Sequence, residues 1–194
     1  MPRWSLDEIQ SQFIDCVDFP IPGFVFPDIT PMVERRPDIY RAVIDAFCNE
    51  YRDKPIDAIV CIESFGYVFG MPVAYNLGTR IAIARREGKL PRNVVSQEYS
   101  MIYDNSRRIE MNHDSLKPGD NVLIIDDFLA SGGTLGATVS LIESLGANAV
   151  GISCVVEILG VGGRERINRD NISYQTLIDM SFQNNEWIVS EVRF

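Results

Sequence analysis

The residue pattern predicts an α/β fold: a mostly parallel central sheet with helices on both of its faces. Three features carry that expectation. Short apolar runs alternate with helix-compatible stretches from residue 38 to residue 158. Several of those runs are continuous, as in strands buried on both sides. One of them, Val122-Leu123-Ile124-Ile125, runs straight into two carboxylates and a small-residue turn, after which an apolar helix-compatible stretch begins. The chain has 194 residues with 46% hydrophobic and 23% charged content, enough for one medium-sized domain with a real core. Without internal repeats or low-complexity linkers, residues 1–194 read as a single domain.

The elements follow in order. Ile39, Val43, Phe47 and Tyr51 recur four apart in residues 38–52 and define one helical face, and Pro37 stands where a helix starts. IDAIVCI (56–62) is a buried strand. Residues 67–77 form a helix closed by Gly78. RIAIAR (80–85) is the next strand, and residues 95–111 alternate loosely about DNSR (104–107), as a hairpin does. NVLIID (121–126) is a strand, residues 134–145 a helix capped by Gly146, and ANAVGISCVVEI (147–158) a long apolar strand. In such sheets ligands sit at the carboxyl ends of the strands, and Asp126 and Asp127 lie at one.

Bulk properties exclude several functions. A net charge of −9 speaks against a nucleic-acid backbone as partner, though a local pocket can still take a small anion. No apolar run approaches the roughly 18 residues of a membrane span, and MPRWSLDEIQ lacks the apolar core of a secretory signal. The four cysteines form no CxxC pair, and Cys61 and Cys154 sit inside apolar runs, which suits buried thiols in a reducing cytoplasm. With His113 the lone histidine, no zinc site of His/Cys type is expected.

The segment VLIIDDFLASGGT carries the chemistry. In a glycine-rich turn that opens a helix, unpaired backbone N–H groups point together and bind phosphate. Gly132 and Gly133 let the main chain approach an anion, and Ser131 and Thr134 add hydroxyls. Carboxylates repel phosphate but accept hydrogen bonds from sugar hydroxyls. Acids beside a phosphate cradle therefore suit a ribose 5-phosphate, with the diol on Asp126 and Asp127 and the phosphate on Ala130-Ser131-Gly132-Gly133-Thr134. The plain alternative is a strand-end acid pair followed by an ordinary helix cap. No Walker loop is present.

IIDDFLASGGT resembles the phosphoribosyl pyrophosphate (PRPP) motif of the type I phosphoribosyltransferases. DFPIPGFVFPDITPM (18–32), ESFG (63–66), RREGKLP (85–91), EYSMIYDNSRRIEM (98–111) and VVEILGVGGRERI (155–167) are similar in order and spacing to the adenine phosphoribosyltransferases. The ESFG and IIDDFLA pieces equally resemble xanthine phosphoribosyltransferases and a purine-regulatory repressor on the same fold. The resemblance implies an N-terminal hood at about 16–35 and a flexible hairpin at about 97–110 that closes to exclude water. It implies a pyrophosphate loop of Glu63, Ser64, Phe65 and Gly66, with Arg85 and Lys89 as cationic contacts. The purine falls to Val25, Phe26, Pro27 and Leu129, with Phe26 on one face of the base and Leu129 on the other. The implied reaction displaces pyrophosphate from C1 of PRPP by a purine nitrogen, with Mg2+ carried by PRPP and touching Asp126 and Asp127 at most. Family members are commonly homodimers, and a cytoplasmic homodimer is the expectation here.

Three positions depart from the adenine-type pattern. Ile102 stands for a glutamate that manages the purine proton, and Phe65 for an arginine. Pro27 occupies a hood position whose N–H normally donates to adenine N1, and proline has none. A 6-oxopurine, protonated at N1, would accept a carbonyl there instead. The leading expectation is purine salvage of adenine type. The alternatives are a hypoxanthine/guanine or xanthine enzyme and a non-catalytic PRPP-sensing regulator; a pyrimidine acceptor has only the PRPP motif behind it.

Overall fold

The computed structural model describes residues 4–101, 104–167 and 169–194. An eight-stranded sheet forms the centre. Its four middle strands are β3 (Ala58–Ile62), β4 (Arg80–Arg86), β7 (Asn121–Leu129) and β8 (Asn148–Ile158). β3 runs parallel to both β4 and β7, β7 to β8, and β8 to β9 (Ser173–Gln183). Antiparallel strands finish both edges: β5 (Val94–Met101) and β6 (Asp104–Asn112) beside β4, and β10 (Glu186–Val192) beside β9.

Side-chain alternation along the buried strands divides the core into two layers. Ile59, Cys61, Leu123, Ile125 and Val155 face α3 (Pro37–Tyr51) and α4 (Phe65–Leu77). Ala58, Val60, Val122, Ile124 and Cys154 face α5 (Gly133–Ser144) and α6 (Gly163–Ile167). Ile39, Val43, Phe47 and Tyr51 of α3 are all buried, as their spacing predicts. Gly78 caps α4 in the left-handed region at φ +67°, which a residue with a Cβ rarely adopts.

Outside the main sheet, β1 (Ile14–Val17) and β2 (Val25–Asp28) form a separate antiparallel ribbon, preceded by α1 (Leu6–Gln10) and followed by α2 (Thr30–Arg35). The ribbon lies in the stretch read as a hood at about 16–35. The β5–β6 hairpin occupies the predicted 95–111 region; Ile102 and Tyr103 lie outside the described residues.

Two differences from the sequence reading stand out. β7 continues to Leu129, three residues past the predicted end, because Phe128 and Leu129 still pair with Val156 and Glu157 of β8. The C-terminal strands β9 and β10, and the short α1, α2 and α6, have no counterpart in the sequence reading. β9 mixes polar and apolar residues at its ends, which blurs its period. No helix among the described residues is long and apolar enough to cross a membrane.

Candidate active site

The acid pair lies at the carboxyl end of β7, in the middle of the sheet. Asp126 is only 8% exposed, and the Gly66 N–H, at the start of α4, donates to its carboxyl. Asp127 is half-buried, and its Oδ1 accepts from the Phe128 N–H at 2.9 Å. Burial and then the neighbouring Asp127 charge push the Asp126 carboxyl well above the usual carboxylate range; burial also raises Asp127. The two side chains hydrogen-bond to each other, so they titrate as a pair rather than singly.

Downstream, Ala130 to Thr134 form the turn into α5. Gly132 is the N-cap, at φ +74°, and as a glycine it offers no capping side chain. The first N–H groups of a helix lack intrahelical partners, which makes this turn a place where an anion can sit. Crowding explains the glycines. A Cβ at Gly132 would overlap the carbonyl oxygen of Gly163, and one at Gly163 would overlap the carbonyl oxygen of Ala130. A Cβ at Gly133 would strike the carbonyl oxygen of Ser100 in the hairpin. The Arg166 guanidinium donates to Ser100 Oγ at 2.6 Å and lies 3.7 Å from the Cβ position of Gly133, placing a cation beside the turn.

The expected pyrophosphate loop sits between β3 and α4. The Glu63–Ser64 peptide is cis, and Gly66 is pressed against β7, where a Cβ would come within 2.6 Å of the Ile125 carbonyl oxygen. Arg85 is not free beside it: its Nε and Nη2 donate to Glu63 at 3.1 and 3.2 Å, and its Nη1 donates to the Lys89 carbonyl. This pairing and the Arg86 N–H hold the Glu63 carboxyl below its ordinary range. Lys89 is exposed on the adjacent turn. Phe65, half-buried, packs its ring against Phe69, with centroids 6.4 Å apart.

At the hood, Phe26 meets Phe19 and Phe128 edge to face, at 5.6 and 5.9 Å between centroids. The residue across from Phe26 is thus Phe128, where the resemblance puts Leu129 on the far face of the base. Leu129 is 1% exposed and packs in the core layer of α5 and α6. Adjacent strand residues project to opposite faces, so only one of Phe128 and Leu129 can look toward the hood, and it is Phe128. Val25 gives its carbonyl to the indole N–H of Trp187 at 2.9 Å, and Pro27 sits opposite Asp15 in the ribbon.

The structure thus gathers Asp126, Asp127, the 130–134 turn and the 63–66 loop at the carboxyl ends of the central strands β7 and β3, with the β1–β2 ribbon reaching them through Phe26 and Phe128. It adds Phe128, Gly163, Arg166, Ser100 and Trp187. The glycine doublet Gly162-Gly163 after a strand is a signal of close backbone approach; Phe128, Ser100 and Arg166 lie in the segments that carry the resemblance, and Trp187 has no signal in the sequence.

Comparison with known proteins bears on the family and the fold. The phosphoribosyl transferase domain model matches residues 30–192. The adenine phosphoribosyltransferase of Actinobacillus pleuropneumoniae serotype 5b (strain L20) is 40% identical over 177 residues, 91% of this chain and 98% of that one. That of Acidothermus cellulolyticus is 40% identical over 168 residues, covering 86% and 94%. Among solved structures, the adenine phosphoribosyltransferase of Rhodothermus marinus DSM 4252 superposes with a TM-score of 0.81 at 35% identity, over 88% of this chain and 96% of that one. The Giardia lamblia enzyme, solved with 9-deazaadenine, gives 0.81 at 32% identity over 89% and 97%. The chain belongs to the phosphoribosyltransferase family, and its sheet and flanking helices are those of the type I fold.

Proposed function

We propose that this protein is a purine phosphoribosyltransferase of adenine type, joining adenine to the ribosyl phosphate of PRPP and releasing pyrophosphate. The carrying observation is the coincidence at β7: an acid pair with Asp126 buried, then a glycine turn that opens α5. The resemblance to adenine phosphoribosyltransferases at 40% identity sets the base class.

The turn 130–134 takes the 5-phosphate on backbone N–H groups, and Ser131 and Thr134 add hydroxyl donors. Asp126 and Asp127 accept from the ribose diol and stabilise the positive charge that grows on the sugar as pyrophosphate leaves. The loop 63–66, with Arg85 and Lys89, receives the pyrophosphate. Phe26, Val25 and Pro27 contact the base, and Phe128 takes the opposite place that the resemblance had given to Leu129. The β5–β6 hairpin closes over the turn and excludes water, which would otherwise hydrolyse PRPP.

Mg2+ fits this donor set. Among the described residues no group of three or more His, Cys, Asp or Glu forms a metal cage. Magnesium needs none, since it keeps waters and binds through one or two carboxylates and substrate phosphates. Bound with PRPP, it supplies charge neutralisation of the leaving pyrophosphate. A cytoplasmic homodimer completes the reading. Free cysteines suit a reducing compartment, and Tyr75, 86% exposed on the largely core-packed α4, suits a contact with a second copy.

One observation favours a second reading. Pro27 cannot donate to adenine N1, which suits a 6-oxopurine. Pyrophosphate release from PRPP and Mg2+ with adenine, hypoxanthine, guanine and xanthine separates the two. Adenine is expected to turn over fastest. Preference for a 6-oxopurine refutes the adenine assignment, and silence toward all four bases, with PRPP still bound, leaves a PRPP sensor.

A further inference from the structure

The hood ribbon carries the residues that meet the base, yet among the described residues no backbone ladder joins it to the main sheet. What fixes it is a seam of side-chain bonds centred on Trp187 of β10. The indole N–H donates to the Val25 carbonyl at 2.9 Å, and the Trp187 backbone N–H donates to Asp15 Oδ2 at 3.1 Å. One bond reaches each strand of the ribbon. Gln10, at the end of α1, ties the same stretch of β10 from the other side: its amide donates to the Trp187 carbonyl at 2.8 Å and accepts from the Val189 N–H at 2.7 Å. Trp187 is 9% exposed, with its ring against Phe182 at 5.0 Å.

A cavity of about 470 Å³ opens beside this seam, lined in part by Gln10, Asp15, Trp187 and Val189. On the cavity side the directional bonds tie β1 and β2 to β10, while on the other side Val25 packs against the core and Phe26 against Phe128. Val25 is the residue before Phe26, so a shift of its carbonyl moves the ring that faces Phe128.

We infer that Trp187 is a positioning residue for the purine, setting the height and tilt of the hood strand through its indole bond to Val25. This deepens the adenine-type reading and rests on it. The C-terminal hairpin, far along the chain from the β7 acids, thereby acts on the base subsite and leaves the PRPP subsite alone.

The test is Trp187→Phe, which keeps a ring against Phe182 and deletes the donor. The KM for adenine is expected to rise about tenfold, equivalent to about 1.4 kcal/mol, with the KM for PRPP unchanged and the melting temperature close to the parent's. An unchanged adenine KM, or both KM values rising together, overturns the inference. Trp4→Phe leaves Trp187 as the only tryptophan and covers the case in which the first variant does not fold. Its emission is expected to shift on adding adenine and to stay fixed on adding PRPP alone; no shift with adenine overturns the inference. Should the parent turn over no purine at all, the functional reading falls and this inference with it. Turnover by the parent with an indifferent Trp187→Phe variant removes only this one.

Discussion

The two ends of the site are built by different means. At the proposed sugar-phosphate end, main chain presses on main chain: Gly132 against Gly163, Gly163 against Ala130, Gly133 against Ser100, Gly66 against Ile125. Strand pairing fixes β7 out to Leu129, so nothing there can shift without disturbing the core. At the proposed base end, a two-stranded ribbon is tied to β10 by side-chain hydrogen bonds beside an open cavity. The first construction suits a ligand part that never varies, the phosphoribosyl group. The second can be retuned by single substitutions. The departures from the adenine-type pattern spare IIDDFLASGGT: one stands in the hood at Pro27, one in the hairpin at Ile102 and one in the 63–66 loop at Phe65.

Gly132→Ala should break the sugar-phosphate end outright. The substitution strains a residue at φ +74° and drives a Cβ into the Gly163 carbonyl. Strain and overpacking of about 1–3 kcal/mol each make a loss of roughly 100-fold in PRPP affinity the expected outcome, read by calorimetry. Affinity within a few-fold of the parent would mean that this end yields as readily as the hood.

Asp126→Asn comes next and separates activity from stability. Turnover should fall about 100-fold, as when a group aimed at developing charge is removed. Stability should move the other way. Because burial and Asp127 raise the Asp126 carboxyl, the folded chain binds protons more readily than the unfolded one, and stability drops as pH rises through that interval. Asparagine cannot ionise and can still accept from the Gly66 N–H. The variant is thus expected to melt higher than the parent near pH 7, with the gain vanishing below the ordinary Asp range of about 4. A lower melting temperature at pH 7 would show that the buried charge is compensated by partners other than those described.

Pro27→Ala tests the base end. Restoring an N–H to the hood strand should lower the KM for adenine about fivefold, the effect of one hydrogen bond worth roughly 1 kcal/mol, and leave the KM for PRPP alone. If adenine KM does not move while hypoxanthine use declines, the proline serves a 6-oxopurine.

Much of this architecture is legible in the chain before any coordinates. Buried parallel strands announce themselves by continuous apolar runs, and α3 by its four-residue spacing. The β7–α5 turn is legible because its function is written in backbone terms, acids and glycines at fixed spacing. The hood's supports are not. Trp187 acts across 162 positions of sequence on Val25, and nothing local marks an indole that will reach a distant carbonyl. The choice between Phe128 and Leu129 was equally hidden, because two adjacent apolar residues at a strand end leave the outward face undecided until the strand's neighbours are placed.

Glu63→Gln gives the smallest effect and sharpens the boundary between the two constructions. Glu63 belongs to the loop pinned against β7 by Gly66, yet its carboxylate reaches outward to Arg85, whose side chain is 33% exposed. Arg85 and the Arg86 N–H lower its pKa, so the stability it contributes is present above the ordinary carboxylate range and is lost as pH falls through the lowered value. A partly exposed pair is worth at most about 1 kcal/mol, so the variant should melt slightly below the parent at pH 7 and match it in strong acid. Functionally the sign reverses. Releasing Arg85 from a carboxylate frees a guanidinium fork for pyrophosphate oxygens, and the KM for PRPP should fall about twofold. A KM that rises instead would mean that Glu63 holds Arg85 in its working position, and that even this outer cation is fixed as firmly as the glycine turn.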